Sequence, residues 1–207
     1  NVSLDHMEYL GGSVTAIARE KAAIIKRGDL AVTGADGAAL QAVQQRAGRM
    51  HAALRVVTPL RVLDMDRLGM RVVDPGLGEL RLGLLGRHQA ANAAVALGVM
   101  DALHEAGITD ASAGALRAGL ATTSWPGRME IVTLEAGVDV LLDGAHNTAG
   151  ATALAETLDE LRPHLTLGPV TLLVGILRDK EVGRTVEALR SSVALRSARV
   201  LTTDVPG

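Results

Sequence analysis

The 207-residue chain contains no cysteine and no phenylalanine, and only one tryptophan and one tyrosine. Without cysteine there is no disulfide, no thiol nucleophile and no cysteine–zinc site, which excludes the disulfide-dense scaffold of small secreted domains. Two aromatic side chains provide no platform on which nucleic-acid bases could stack. A basic excess is missing as well. The 21 lysines and arginines are set against 23 acids, leaving a net charge of −2, so there is no electrostatic footprint for a phosphate backbone. No apolar run approaches the ~20 residues of a membrane helix, and no signal-peptide pattern is visible. What is present is a chain 48% hydrophobic with few aromatics. Its core must therefore be filled by alanine, leucine and valine, and the expectation is a soluble, cytoplasmic protein of one or two domains.

Apolar runs alternate with helical patterns. Strands are predicted at Leu30–Thr33, Arg55–Thr58, Arg61–Asp64, Met70–Asp74 and Glu79–Leu82, and Asp36 is expected to cap a helix to about Gly48. Long helical patterns cover His88–Ala106 and Asp110–Thr122. Trp125-Pro126-Gly127 interrupts them and marks the expected boundary between domains at 1–124 and 125–207. Beyond it come strands at Met129–Leu134 and Val138–Leu142, a helix at Thr148–Leu161, a strand at Val170–Val174, a helix at Asp179–Leu189 and a strand at Arg199–Thr202. Strand–helix alternation of this kind implies an α/β fold with a parallel sheet covered on both faces. The opening on Asn1 and the stop just after a strand suggest a piece of a longer protein.

The most informative single residue is Lys21. Val14, Ile17, Ala18, Ile24 and Ile25 recur at helical spacing, and Lys21 falls inside their stripe. Burial would lower its pKa and leave a neutral amine able to react, with carbon dioxide among other electrophiles; the alternative is a lysine snorkelling from the edge of a packed face. Upstream, His6 closes a short apolar segment before a Gly-Gly loop, where a neutral imidazole can serve as a metal ligand. Asp143-Gly144-Ala145-His146-Asn147 follows a buried-type strand, at the strand end where open α/β sheets bind ligands. There Asp143 can accept hydrogen bonds from sugar hydroxyls, His146 can contact an anion or a reacting group, and Asn147 can cap the next helix; turn chemistry alone is the plainer reading of Asp143 and Asn147. His88, Gln89 and Asn92 share neighbouring positions near a helix start, and amide side chains can read a purine edge. Arg128 supplies a fork-shaped cation suited to phosphate, a surface ion pair being the default.

In order, the motifs are Leu-Asp-His-x-x-x-Leu-Gly at 4–11, Ile-Ala-x-Glu-Lys-Ala-x-Ile at 17–24, Gly-x-His-Gln-x-x-Asn-Ala at 86–93, Trp-Pro-Gly-Arg-x-Glu at 125–130, Asp-Gly-Ala-His-Asn at 143–147 and Gly-x-x-Arg-Asp-Lys at 175–180. Together they resemble the folylpolyglutamate synthase/dihydrofolate synthase family, a branch of the Mur ligase superfamily. The resemblance implies the remainder of a central ATPase domain followed by a smaller, Rossmann-like glutamate-binding domain. It also implies a monomeric ATP-driven amide ligase that phosphorylates a carboxylate of folate or dihydropteroate and passes the acyl group to L-glutamate, with no nucleic-acid or membrane partner. By position, His6 and Lys21 would serve a magnesium ion, Lys21 as a carbamylated lysine. Asn92 would contact adenine, Arg128 the phosphates and Asp143 the ribose, while His146 would lie near the reacting groups, Lys21 and His146 being the catalytic pair.

The family's P-loop is missing here: Lys21, Lys26 and Lys180 are the only lysines and none follows a glycine. The family's acidic magnesium ligand and the last part of its C-terminal domain are missing too. The expectation is therefore that this polypeptide alone is inactive. A Mur-type peptidoglycan precursor ligase and a non-catalytic nucleotide-binding module are the alternative readings.

Overall fold

The computed structural model describes residues 13–177 and 181–203. Two compact units emerge, one comprising the chain up to Arg61 with Val73–Gly78 and Ala90–Gly119, the other comprising Val62–Val72, Glu79–Gln89 and the chain from Leu120 onward.

In the first unit Ser13 starts helix α1 (Val14–Ala22) by accepting the Ala16 amide on its hydroxyl at 3.2 Å. Strand β1 (Leu30–Thr33), helix α2 (Gly37–Met50) and strand β2 (Ala53–Val56) then form a β–α–β unit, with β1 and β2 parallel in the register Leu30–Ala53 to Thr33–Val56. Small residues let the helices approach closely: Ala18 packs with Ala35, Ala39 and Ala42, and Ala22 with Ile25 and Val43. Helix α2 runs past the expected stop at Gly48. It ends on His51, in the left-handed conformation at φ 49°, with the His51 and Ala52 amides donating to the Gly48 and Ala47 carbonyls. Asp36 holds the N-cap position of α2 but makes no capping bond with its side chain.

Strands β3 (Arg61–Asp66), β4 (Gly69–Asp74) and β5 (Gly78–Leu82) form one sheet in that order. The alternation of Met70 and Val72 on β4, and of Leu80 and Leu82 on β5, buries one face. Helix α3 (Arg87–Glu105) passes from the second unit into the first, and helix α4 (Ala113–Thr122) returns.

After Trp125 come strands β6 (Glu130–Thr133) and β7 (Asp139–Leu142), helix α5 (Thr148–Leu161), a 3-10 turn (Arg162–His164), strand β8 (Thr171–Val174), helix α6 (Val182–Arg190) and strand β9 (Arg199–Thr202). The parallel pairing expected of this half holds for β8 and β9, whose register runs Thr171–Arg199 to Val174–Thr202. The single parallel sheet covered on both faces does not. β6 and β7 are antiparallel, because five residues turning on Gly137 join them and no crossover fits in so short a connection. All four residues of β9 are exposed. Helix α5 packs against α6 and seals Ala151, Ala155 and Leu161. Asp159 ties α5 to the segment that follows α6 by accepting the Ser192 hydroxyl and the Val193 and Ala194 amides at 2.6–3.0 Å. Burial alone would raise its carboxyl, but those donors hold it below the usual carboxylate range.

The lysine expectation is overturned. Lys21 is exposed, and Ile24, assigned to the same buried stripe, is 78% exposed. The helix ends at Ala22, so its period no longer governs Ile24 and Ile25, and α2 covers Ala18 and Ala22. Lys21 instead stands at the rim of an open cavity of about 340 Å³, lined also by Asp29, Val32, Thr33 and Val43. Its four-carbon stem carries the ammonium to water, as the snorkelling alternative requires.

Candidate functional site

The second unit gathers its polar residues where the Trp125–Glu130 segment meets the loop after β7. Pro126 and Gly127 make a turn in which the Arg128 amide donates to the Trp125 carbonyl at 3.1 Å, with Gly127 at φ 69°. Met129 follows at φ 49°, left-handed although it is not glycine, and is almost wholly buried. Such backbone persists where its surroundings over-determine it. The Gly127 amide donates to Glu130 Oε2 at 2.8 Å, and the Met129 amide to Asp143 Oδ2 at 2.9 Å. The Gly144 amide donates to the Gly127 carbonyl at 2.8 Å. Asp143 Oδ1 accepts the Ala145 amide at 2.8 Å. Both oxygens of Asp143 thus fasten backbone, and each keeps a second lone pair for another donor.

The Arg128 guanidinium lies over Gly144, so that a Cβ at 144 would stand 3.0 Å from Nη1 and 3.6 Å from Cζ. It is exposed and has no acidic partner among the described residues. A guanidinium in such a place has its donors open to an anion. His146 Nδ1 lies 2.9 Å from the Gly144 carbonyl. A carbonyl only accepts, so Nδ1 is the donor in this bond. Asn147 begins α5 by accepting the Gly150 amide at 2.8 Å, the capping role expected of it. A small cavity of about 190 Å³ beside the turn is lined by Arg67, Leu84, Trp125, Arg128 and Met129, among others.

His88 adjoins this region. Its ring folds back over Gly86, where a Cβ would be 2.6 Å from His88 Cε1 and 2.7 Å from Thr157 Oγ1, and Gly86 has φ 100°. Its Nδ1 is sealed from solvent with no hydrogen-bond partner among the described residues. Desolvation lowers the pKa of the ring, Asp143 and Glu156 oppose that shift and Arg128 reinforces it. Helix α3 is further anchored to α5 by Arg87 Nε on Glu160 Oε1 at 2.6 Å.

Residues 127–206 match the family described as Mur ligase, glutamate ligase domain. The chain is 31% identical over 199 residues to dihydrofolate synthase/folylpolyglutamate synthase of Bacillus subtilis, covering 92% of this chain and 45% of that protein. Among solved structures, a folylpolyglutamate synthase in complex with AMPPCP and folate superposes with a TM-score of 0.79 at 28% identity, over 100% of this chain and 50% of the other. The Mycobacterium tuberculosis folylpolyglutamate synthase complexed with ADP does so at 0.70 and 27%, over 98% and 52%.

The chain belongs to the folylpolyglutamate synthase/dihydrofolate synthase family. It spans about half the length of these relatives. Of the residues singled out in the sequence for this family's site, the structure brings Arg128, Asp143 and His146 onto two interlocked loops of one unit. Asn92 is exposed on the part of α3 that belongs to the first unit. His6 and the Arg178-Asp179-Lys180 segment lie outside the described residues.

Among the described residues no three of His, Asp or Glu converge to hold a metal ion, and Lys21 is exposed. Glu130, Gly144 and His88 were within quoted motifs without a role. The signal was the Glu130 carboxylate three residues after Gly127, which can turn back onto a freed amide. No helix of the described residues is long and apolar enough to cross a membrane.

Proposed function

We propose that the protein carrying this chain is an ATP-dependent ligase that joins L-glutamate to folate or dihydropteroate. In that reaction a substrate carboxylate oxygen attacks the γ-phosphorus of ATP, and ADP leaves. The amine of glutamate then attacks the acyl carbon through a tetrahedral intermediate. Phosphate departs with the oxygen it took from the carboxylate, and the amine loses its proton. The observation that carries the reading is the Arg128 guanidinium lying over Gly144 with no acidic partner among the described residues, in a chain whose relatives include structures with AMPPCP and ADP. Arg128 neutralises charge on the phosphates. Asp143 has lone pairs left for ribose hydroxyls. His146, beside the reacting groups, receives the proton of the attacking amine. The family match over residues 127–206 supports reading the chain from about 125 as the glutamate-binding domain. Names of the folate branch among the relatives favour this substrate over a cell-wall precursor.

The test follows the oxygen. With ATP, glutamate and dihydropteroate or folate labelled with ¹⁸O in the reacting carboxylate, one label appears in inorganic phosphate per amide formed, with ADP as the co-product. Release of AMP and pyrophosphate, or unlabelled phosphate accompanying amide formation, overturns the proposal. Arg128→Ala is expected to raise the KM for ATP by about tenfold or more, given the strength of charge-assisted bonds to phosphate.

A further inference from the structure

We infer that Glu130 and Gly144 are positioning residues that present the Arg128 guanidinium as a preset receptor for the nucleotide's phosphates. The inference rests on the ligase reading above. Its physical content is a clamp around one arginine. On the N-terminal side of Arg128, the Gly127 peptide is held twice, its amide by Glu130 Oε2 and its carbonyl by the Gly144 amide, both at 2.8 Å. On the C-terminal side, the Met129 amide is held by Asp143 at 2.9 Å. Left-handed backbone on both flanks, at φ 69° and 49°, leaves this turn little freedom to relax once those bonds are made.

The side chain is seated separately. A Cβ at position 144 would lie 3.0 Å from Arg128 Nη1, closer than such contacts normally run. Gly144 is not among the glycines with left-handed φ, so its own backbone does not demand glycine. The space above it does. An arginine that must lose rotamer freedom on meeting its ligand binds more weakly than one already ordered, and here the clamp supplies that ordering with no acidic partner for Arg128 among the described residues.

The test is a mutant cycle on the intact protein, reading ATP affinity and kcat separately. Glu130→Gln keeps an oxygen acceptor for the Gly127 amide and is expected to bind ATP within about twofold of wild type. Glu130→Ala and Gly144→Ala are each expected to weaken ATP by about fivefold, with kcat at saturating ATP little changed. In an Arg128→Lys background the same two substitutions should cost nothing further. In the free protein, ¹⁵N relaxation of the Arg128 side-chain Nε–H should show greater mobility in both alanine variants.

Equal losses with and without Arg128 would overturn the inference, as would Glu130→Gln behaving like Glu130→Ala. So would a Gly144→Ala protein with unchanged affinity and unchanged Arg128 dynamics. Should Glu130→Ala fail to fold, Gly144→Ala decides, since its added methyl meets only the flexible end of a side chain and Gly127 O at 3.6 Å. If wild type forms no amide from ATP and glutamate, the ligase reading fails. The Nε–H measurement on the free protein still reads the clamp in that case.

Discussion

Replacing His51 by glycine should stabilise the first unit, and replacing it by alanine should not. His51 closes helix α2 at φ 49°, with its amide on the Gly48 carbonyl and the Ala52 amide on the Ala47 carbonyl at 2.9 Å. This is the position where most helices place glycine, because a Cβ in left-handed backbone crowds the following carbonyl. Relief of that crowding gains about 1–2 kcal/mol. The extra freedom of glycine in the unfolded chain takes back about 0.4–1 kcal/mol. His51 is exposed and no hydrogen bond of its side chain is found in the described structure, so little else is lost. The net expectation is a gain of about 0.5–1 kcal/mol for His51→Gly. His51→Ala keeps the crowding and should lie at or slightly below wild type. Urea unfolding followed by far-UV circular dichroism measures both, with the gain equivalent to roughly 1–4 °C in Tm for a chain of this size. If alanine equals or exceeds glycine at this position, the left-handed cap is not an energetic feature of the fold and the reasoning fails.

Two further outcomes are expected. Asn147→Ala should cost about 1 kcal/mol by freeing the Gly150 amide at the start of α5, and Asn147→Asp should recover most of it; thermal unfolding of the three proteins compares them directly. For His88, burial holds the folded pKa below 6.5. The unfolded chain therefore binds the proton more readily, so stability is complete above pH 6.5 and erodes as the pH falls below it. His88→Gln should lack that part of the acid loss, read as a flatter stability curve between pH 7.5 and 5. Asp143, Glu156 and Arg128 are the charged groups that modulate the ring, and identical curves for the two proteins would refute its burial as a neutral imidazole.

The sequence alone determined the local elements. Leu30–Thr33, Thr148–Leu161 and Arg199–Thr202 appear at their expected limits, because apolar periodicity and capping residues act within a few positions. It also carried the family, since six ordered motifs survive however the chain packs. Tertiary structure decided what lies over a side chain, which period cannot report. Lys21 has the spacing of a buried residue, yet the end of α1 and the placement of α2 leave it at a cavity rim. The pairing of β6 with β7 was likewise settled by a short connection, and the end of α2 by His51 rather than Gly48. At the site, residues 127–130 and 143–146 were each legible as motifs. Only folding brought the Gly144 surface under the Arg128 guanidinium and set Asp143 on the Met129 amide, because contacts between distant segments depend on the path of the whole chain and are not written into either segment alone.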